Sequence, residues 1–177
     1  MKKVHLTLML LAGLTTSVLA QKLEKPEIDK IKGDTTWRTS DERIYTQLGL
    51  VTGRLLYVYT QKIGKSYVLA FRLDNVNGPR VFSIGPADIT NIKFTDNSVL
   101  DLSPTVGGDP HVSYNTEANR VITLIYYDLA KEDIETLKTK SISIIRIATE
   151  GAGNFDYEIK PKNSNLVKKD LELILTK

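Results

Sequence analysis

The apolar positions in the central and C-terminal parts of the chain fall in a pattern that predicts three antiparallel hairpins. Each hairpin consists of two runs rich in β-forming residues that flank a turn signal. The three hairpins, with their turns, are Arg54 to Asp74 around Ile63-Gly64, Ile89 to Leu102 around Asp96-Asn97-Ser98, and Ser141 to Ile159 around Glu150-Gly151-Ala152.

In the first hairpin, the turn position fixes both the pairing and the faces. A two-residue loop at 63–64 pairs Lys62 with Lys65, and a four-residue loop at 62–65 gives the same register. Alternation then divides the side chains between two faces. One face carries Leu56, Val58, Leu69 and Phe71, and the other carries Leu55, Tyr57, Tyr59, Val68, Ala70 and Arg72.

Three-residue loops set the register of the other two hairpins. In the second hairpin, Phe94 lies opposite Leu100, Ile92 opposite Leu102 and Lys93 opposite Asp101. In the third, Ile147 lies opposite Phe155, Ile145 opposite Tyr157 and Arg146 opposite Asp156. Each hairpin then has one apolar face and one basic–acidic pair on the other face, and such a pair helps to fix the register.

Further strands and two helices complete the predicted elements. We predict a central strand buried on both faces at Arg120 to Asp128 and shorter strands at Ile28 to Lys32, Arg43 to Val51 and Val81 to Ile84. Thr39 and Glu42 have capping-box spacing, which leaves a helix open for Arg43 to Val51. Helices are predicted at about residues 130–140 and 164–175, the second with Ser164 as its N-cap. The fold class is α+β, with antiparallel hairpins in a curved sheet or two-layer sandwich.

Residues 1–20 have the order of a secretory signal peptide. Met1-Lys2-Lys3 is followed by an apolar run and then by Val18-Leu19-Ala20. The apolar stretch is too short, and too often interrupted by polar residues, for a typical spanning helix. We expect cleavage between Ala20 and Gln21, an extended lead-in at 21–34 and one globular domain at 35–177. The localisation that follows is periplasmic or extracellular, soluble and without a membrane span.

Charge and cysteine content exclude several functions. Loss of Lys2 and Lys3 with the signal leaves 22 basic and 21 acidic side chains in 157 residues, so the net charge falls to +1. This balance gives no electrostatic basis for binding nucleic acid. The chain has no cysteine, which excludes disulfides, thiolate metal sites and a lipid anchor on an N-terminal cysteine.

The candidate chemistry is sparse, and no catalytic, cofactor-binding or metal-ligating residue is assigned. His111 would be the one histidine of the processed chain, and we interpret it as a loop residue rather than a base or ligand. The segment Asp74-Asn75-Val76-Asn77-Gly78 resembles a calcium loop, but its glycine is fifth instead of sixth, so we interpret it as a turn. The glycines at 107–108 and 151–153 lack the context of a phosphate-binding loop. Tyr57, Tyr59 and Trp37 could form an aromatic surface, although apolar neighbours on the tyrosine face favour packing.

The order of several segments resembles a class of small exported bacterial proteins of unknown function. The resemblance covers most of residues 28–175 and rests on GDTT at 33–36, IKFTDNSVLDL at 92–102, YYDLAKEDIETLKTKSISIIRI at 126–147, NFDYEIK at 154–160 and the final amphipathic helix. That class commonly has serine at the position of Ala130, where this chain departs from it. The resemblance implies the architecture and no activity.

Export without a catalytic motif predicts a non-enzymatic binding or structural module of the bacterial envelope or exterior, with an unknown protein or polymer as partner. The alternative is a small acid-dependent hydrolase that acts on an extracellular polymer through paired carboxylates. Neither interpretation predicts a cofactor, and the oligomeric state stays open.

Overall fold

The computed structural model describes residues 21–31, 33–50, 52–76, 82–105 and 120–177. Within these ranges the chain forms ten strands, one 3₁₀ turn and two α-helices. In chain order they are β1 (Glu27–Ile28), β2 (Thr35–Arg38), β3 (Glu42–Leu48), β4 (Gly53–Ile63), β5 (Ser66–Val76), β6 (Thr90–Phe94), β7 (Val99–Leu102), β8 (Arg120–Asp128), α1 (Lys131–Thr139), β9 (Ile142–Thr149), β10 (Gly153–Glu158), the 3₁₀ turn (Pro161–Asn163) and α2 (Leu166–Ile174).

The large sheet is antiparallel and has the order β1-β2-β4-β5-β8, with β3 paired to β4. β2 pairs with Gln61 to Ile63 of β4, and β3 pairs with its earlier part, Gly53 to Val58. β2 and β3 therefore lie end to end along the edge of β4 that faces away from β5. The bend between them spans residues 39–41, and the Thr39 N–H donates to the Thr60 carbonyl at 3.0 Å.

The small sheet joins the second and third hairpins. Its order is β10-β9-β6-β7. The antiparallel pair of β6 and β9 forms the centre, and β7 and β10, the second strands of the two hairpins, form the edges. Ile92 lies opposite Ile145, and Thr90 lies opposite Ile147. The buried side chains of these strands supply one wall of the core.

The two sheets and the helices enclose one hydrophobic core. The Thr90 hydroxyl of β6 lies 2.6 Å from the Tyr127 hydroxyl of β8, and the rings of Tyr45 and Tyr157 meet edge to face at 5.1 Å. The core side chains of α1 and α2 are Leu137, Val167, Leu171 and Ile174. These contacts confirm the α+β class: two facing antiparallel layers with two helices, α1 and α2, close to their predicted ranges.

The third hairpin has the predicted register. Ile147 lies opposite Phe155, and Arg146 lies opposite Asp156. The Arg146 Nε and Nη2 donate to the two carboxylate oxygens of Asp156, each at 2.6 Å. The segment after the bend is also a strand, β3, and not a helix.

The predicted register of the first hairpin is wrong by two residues. Ile63 pairs with Ser66, and the loop is Gly64-Lys65 instead of Ile63-Gly64. Gly64 occupies the first loop position with φ +57°, the position for which the type II′ hairpin turn requires glycine. A shift of two preserves the faces, so the inner face of the large sheet still carries Leu56 and Val58. Its outer face carries Leu55, Tyr57, Tyr59, Val68, Ala70 and Arg72, as predicted.

The predicted register of the second hairpin is also wrong by two residues, in the opposite direction. Its loop is Thr95-Asp96-Asn97, closed by the Phe94 N–H donating to the Ser98 carbonyl at 2.9 Å. Asn97 takes the left-handed position with φ +68°, which asparagine tolerates better than most side chains. Ile92 consequently faces Leu100, and the residue opposite Asp101 is Asn91 and not Lys93. The Asn91 amide donates to the Asp101 carboxylate at 2.7 Å.

Three smaller predictions are also wrong. β8 stands last in the strand order of the described residues, and its side chains alternate between buried and half-buried along most of the strand. Ser164 does not cap α2: its hydroxyl donates to the Pro161 carbonyl at 2.8 Å, and the N-cap position belongs to Asn165. The predicted strand at Val81 to Ile84 is reduced, in its described part, to a bridge between Ser83 and Glu150.

The lead-in is tied to the large sheet by β1 and by a bridge between Leu23 and Thr39. The predicted signal peptide at 1–20, His111 and the glycines at 107–108 lie outside the described residues. The helices of the described part are all too short or too polar to cross a membrane.

Candidate functional site

Arginine side chains cover the two tyrosines of the predicted aromatic surface. The guanidinium of Arg72 lies 4.0 Å from the ring centre of Tyr57, and that of Arg38 lies 3.8 Å from the ring centre of Tyr59. Trp37 pairs with Lys62, so it lies on the inner face of the large sheet and not beside the two tyrosines. The three aromatic residues do not form one strip, and the two tyrosines have arginines stacked on their rings.

Asp41 holds the two arginines in place. It lies in the bend between β2 and β3, and its two carboxylate oxygens accept hydrogen bonds from Arg38 and Arg72. Burial lowers the pKa of Arg38, but the charge of Asp41, with Tyr59 and Glu24, raises it above the usual value overall. We call Arg38, Asp41, Tyr57, Tyr59 and Arg72 the arginine–tyrosine ladder. Both arginines are paired with Asp41, and Arg38 also lies 3.7 Å from Glu24, which is typical of a structural cluster.

A contact with Tyr126 holds Tyr59 of the ladder in place. Tyr59 and Tyr126 both lie opposite Ala70, on either side of β5, and their hydroxyls are 3.3 Å apart. The small Ala70 side chain leaves space for both rings. Burial, and then the hydrogen bond with Tyr126, raise the pKa of the Tyr59 hydroxyl well above its usual value. The Tyr59 hydroxyl therefore keeps its proton and is no candidate base.

A groove of about 680 Å³ lies between β3 and the segment that leads into α2. Its lining residues are Glu42, Arg43, Ile44, Tyr45, Thr46, Glu158, Lys160, Lys162, Asn163, Leu166 and Lys169. We call this surface the basic groove. Five consecutive residues of β3 line it, as expected when a groove follows the edge of a strand instead of one face.

The edge of β3 that borders the basic groove carries no partner strand within the described ranges. A bulge between Arg43 and Tyr45 interrupts its pairing with β4 and leaves Ile44 as the extra residue. The Ile44 carbonyl accepts a hydrogen bond from the Asn163 side-chain amide at 2.9 Å. One outward backbone group of the edge is thus already satisfied by a side chain of the opposite wall.

The charge of the basic groove is positive. Arg43, Lys160, Lys162 and Lys169 contribute four cations, against the carboxylates of Glu42 and Glu158. None of the four cations forms an ion pair with a residue that the structure describes. Unpaired cations around a concave surface attract an anionic ligand.

Asp170 is the one described carboxyl group with a strongly raised pKa. It lies on α2 and is 0% exposed. Burial raises its pKa to about 8, the charge of Glu42 adds to the increase, and the Thr39 hydroxyl acts in the opposite direction. Because the group is sealed from solvent, it cannot meet a substrate in the basic groove.

Sequence reasoning did not find the basic groove. Its cations come from β3, the 3₁₀ turn region and α2, and the nearest signal in the sequence is the pair of lysines around Pro161. The described residues contain no group of three or more His, Cys, Asp or Glu side chains that could hold a metal ion. Comparison of the chain with protein-family models, with curated proteins and with solved structures gave no match.

Proposed function

We propose that the protein is an exported, non-enzymatic binding module, cleaved after Ala20, whose basic groove holds an extended acidic peptide segment. One observation carries the proposal: within the described part of the chain, four cations without an ion pair line a groove whose wall is a strand edge without a partner strand. The signal-peptide order of residues 1–20 supports export.

The cations favour an acidic partner. The processed chain is close to neutral, so the excess of positive charge in the basic groove is local and not a property of the whole surface. Complementary charge accelerates association and selects among partners, and its effect weakens as salt screens it.

The strand edge favours a peptide. An extended peptide can add to an open edge through backbone hydrogen bonds, while its side chains reach the neighbouring pockets. Glu42 to Thr46 offer such an edge, and the lysines of the opposite wall lie across the groove from it. An anionic polysaccharide would satisfy the charge but not the backbone groups of β3.

Fluorescence anisotropy with labelled Asp- and Glu-rich peptides tests the charge component. The double substitution Lys160→Glu with Lys162→Glu should weaken binding on the order of tenfold or more. The matched control is Lys25→Glu with Lys30→Glu, which changes the net charge equally at exposed lysines outside the groove. Equal losses in both variants would show that binding depends on net charge and not on the groove.

A second comparison tests the strand edge. In an extended peptide, alternate residues direct their N–H groups toward the neighbouring strand. N-methylation of these residues blocks pairing with β3, whereas N-methylation of the residues between them leaves the pairing intact. One methylated peptide should lose binding and the other should keep it. Equal affinity of both peptides, or preference for an anionic polysaccharide, would contradict a peptide partner.

Two carboxylates in the basic groove favour a second candidate function. Glu42 and Glu158 both line it, and a pair of carboxylates is the minimum set for an acid-dependent hydrolase. Turnover of an extracellular polymer that is abolished by both Glu42→Gln and Glu158→Gln would establish this alternative. Peptide binding that survives both substitutions without turnover supports the binding module.

A further inference from the structure

Asp170 is a buried carboxyl group for which the described residues provide no cation. Its Oδ1 accepts a hydrogen bond from the Gln21 side-chain amide at 3.0 Å, and its Oδ2 has no hydrogen-bond partner in the described part of the structure. Glu42 is the titratable side chain that acts on it electrostatically, and Thr39 is its polar neighbour from the bend. An isolated buried carboxylate is unfavourable, so this group either keeps its proton or requires a positive charge beside it.

Gln21 is held firmly beside this carboxyl group. The Ser40 N–H donates to the Lys22 carbonyl at 2.8 Å, and Leu23 forms a bridge with Thr39, so the backbone here runs along the bend. The Gln21 side-chain amide also donates to the Leu166 carbonyl at 2.9 Å. The glutamine side chain joins the Gln21 backbone nitrogen to the amide that contacts Asp170, so an ion pair of the freed terminus with Asp170 requires the nitrogen to move toward α2.

We propose that processing supplies the missing cation: the α-ammonium group created at Gln21 forms an ion pair with Asp170 and locks the new N-terminus onto α2. This inference rests on the cleavage after Ala20 in the proposed function. Water hydrolyses the Ala20–Gln21 peptide bond, its oxygen ends on the Ala20 carboxylate, and the Gln21 nitrogen becomes a protonated amine. A terminus without that charge leaves Asp170 unpaired.

The same pair protects the terminus from cyclisation. An N-terminal glutamine forms a lactam when its neutral α-amine attacks its own side-chain amide and expels ammonia. Pairing with Asp170 holds the amine in its protonated, non-nucleophilic form, and the side-chain amide is fixed by Leu166 and Asp170. Cyclisation should therefore be slow in the processed protein and faster when the Asp170 charge is removed.

A thermodynamic cycle tests the pair with chains of defined N-terminus. One chain begins at Gln21 and the other retains Ala20, and each carries either Asp170 or Asp170→Asn. All residues of the core cluster lie between Ile44 and Ile174, so both chains keep the whole core. With Asp170 at pH 7, retention of Ala20 should raise the equilibrium constant of unfolding on the order of tenfold. With asparagine, the two chains should be equally stable. The same loss in both backgrounds would overturn the pair.

Two readouts keep the test decisive if the asparagine variant fails to fold. The α-amine of the Gln21 chain should titrate above its ordinary pKa of about 8, as measured by NMR, and a value at or below that would overturn the pair. Mass spectrometry should show slow loss of ammonia from the folded Gln21 chain, and rapid loss would overturn the protection.

Because these chains are prepared with fixed termini, the outcome does not depend on export. Sequencing the N-terminus of the protein secreted by cells tests the cleavage separately.

Discussion

The hydroxyl groups of Thr90 and Tyr127 meet 2.6 Å apart in the core and link the small sheet to the large sheet. Thr90 is 0% exposed, and so is Tyr127. Burial raises the pKa of the Tyr127 hydroxyl well above its usual value, so the phenol stays neutral. The contact is a neutral hydrogen bond in a dry environment, where an unpaired partner is costly.

Tyr127→Phe should therefore lower the free energy of unfolding by about 1–2 kcal/mol, because the Thr90 hydroxyl is left buried without a partner. Urea denaturation checks this change. Thr90→Val should cost a similar amount, and the double variant should cost less than the sum of the two. Additive losses would mean that the two hydroxyls do not stabilise each other.

Asp41→Asn should destabilise the protein by about 1–2 kcal/mol, which is more than a surface carboxylate contributes. The substitution removes the only charge that the structure describes between Arg38 and Arg72. Thermal unfolding at low and high salt measures the loss, which should shrink when salt screens the repulsion between the two guanidiniums. A salt-independent loss would assign the role of Asp41 to hydrogen bonding alone.

Asp156→Asn should cost well under about 1 kcal/mol, although its ion pair with Arg146 has bidentate geometry, because about half of each side chain is exposed. The hydrogen bond from Arg146 lowers the pKa of Asp156 below its usual value. Its small contribution is therefore present above about pH 4 and is lost as the pH falls through the lowered value. Denaturation of the wild type and the variant at pH 7 and pH 2 checks this: the stabilities should differ slightly at pH 7 and converge at pH 2.

In the chain that retains residues 1–20, Asp170 should make the stability depend on pH in the direction opposite to that of Asp156. Its pKa is about 8 in the folded protein and about 3.9 in an unfolded chain. Between these values the folded state holds a proton that the unfolded state has lost, so stability decreases as the pH rises from about 4 to 8. The slope approaches about 1.4 kcal/mol per pH unit at most. The difference between the wild type and Asp170→Asn isolates this group. A difference that does not change with pH would contradict it.

Gly64→Ala should destabilise the first hairpin by about 1 kcal/mol, because its φ of +57° is strained for a residue with a Cβ atom. Gly85→Ala is a suitable control, since the added Cβ would meet its nearest atom, Asp88 Oδ2, at an ordinary 3.8 Å. Chemical denaturation of both variants measures the difference. Equal losses would show that the turn conformation does not depend on glycine.

The hairpins show what a pattern of residues can and cannot predict. Alternation identified the faces in all three, but a slip of two residues leaves every face unchanged and so goes undetected. In the first hairpin, Gly64 fits a two-residue loop either as its second residue, as predicted, or as its first, as observed. In the third, the loop at 150–152 was placed correctly, and with it the pair of Arg146 and Asp156.

The basic groove could not be predicted for a different reason. Arg43 and Lys169 are far apart in the sequence, and they line one groove because α2 packs against β4, the strand that pairs with β3. The bend at 39–41 leads into the β3 wall of the groove, the bulge at Ile44 lies within that wall, and the bulge has no distinct sequence signal. The arginine–tyrosine ladder depends on the bend, which brings Asp41 over the outer face of the large sheet.

The contact between Gln21 and Asp170 also determines when the fold can be completed. It joins residues 149 positions apart, one in the N-terminal segment and one in the last helix. A ribosome releases α2 last, so during synthesis the N-terminal segment can pair with β2 and Thr39 but cannot yet contact α2. Under the export proposed above, the contact between Gln21 and α2 would form only after the last helix has crossed the membrane.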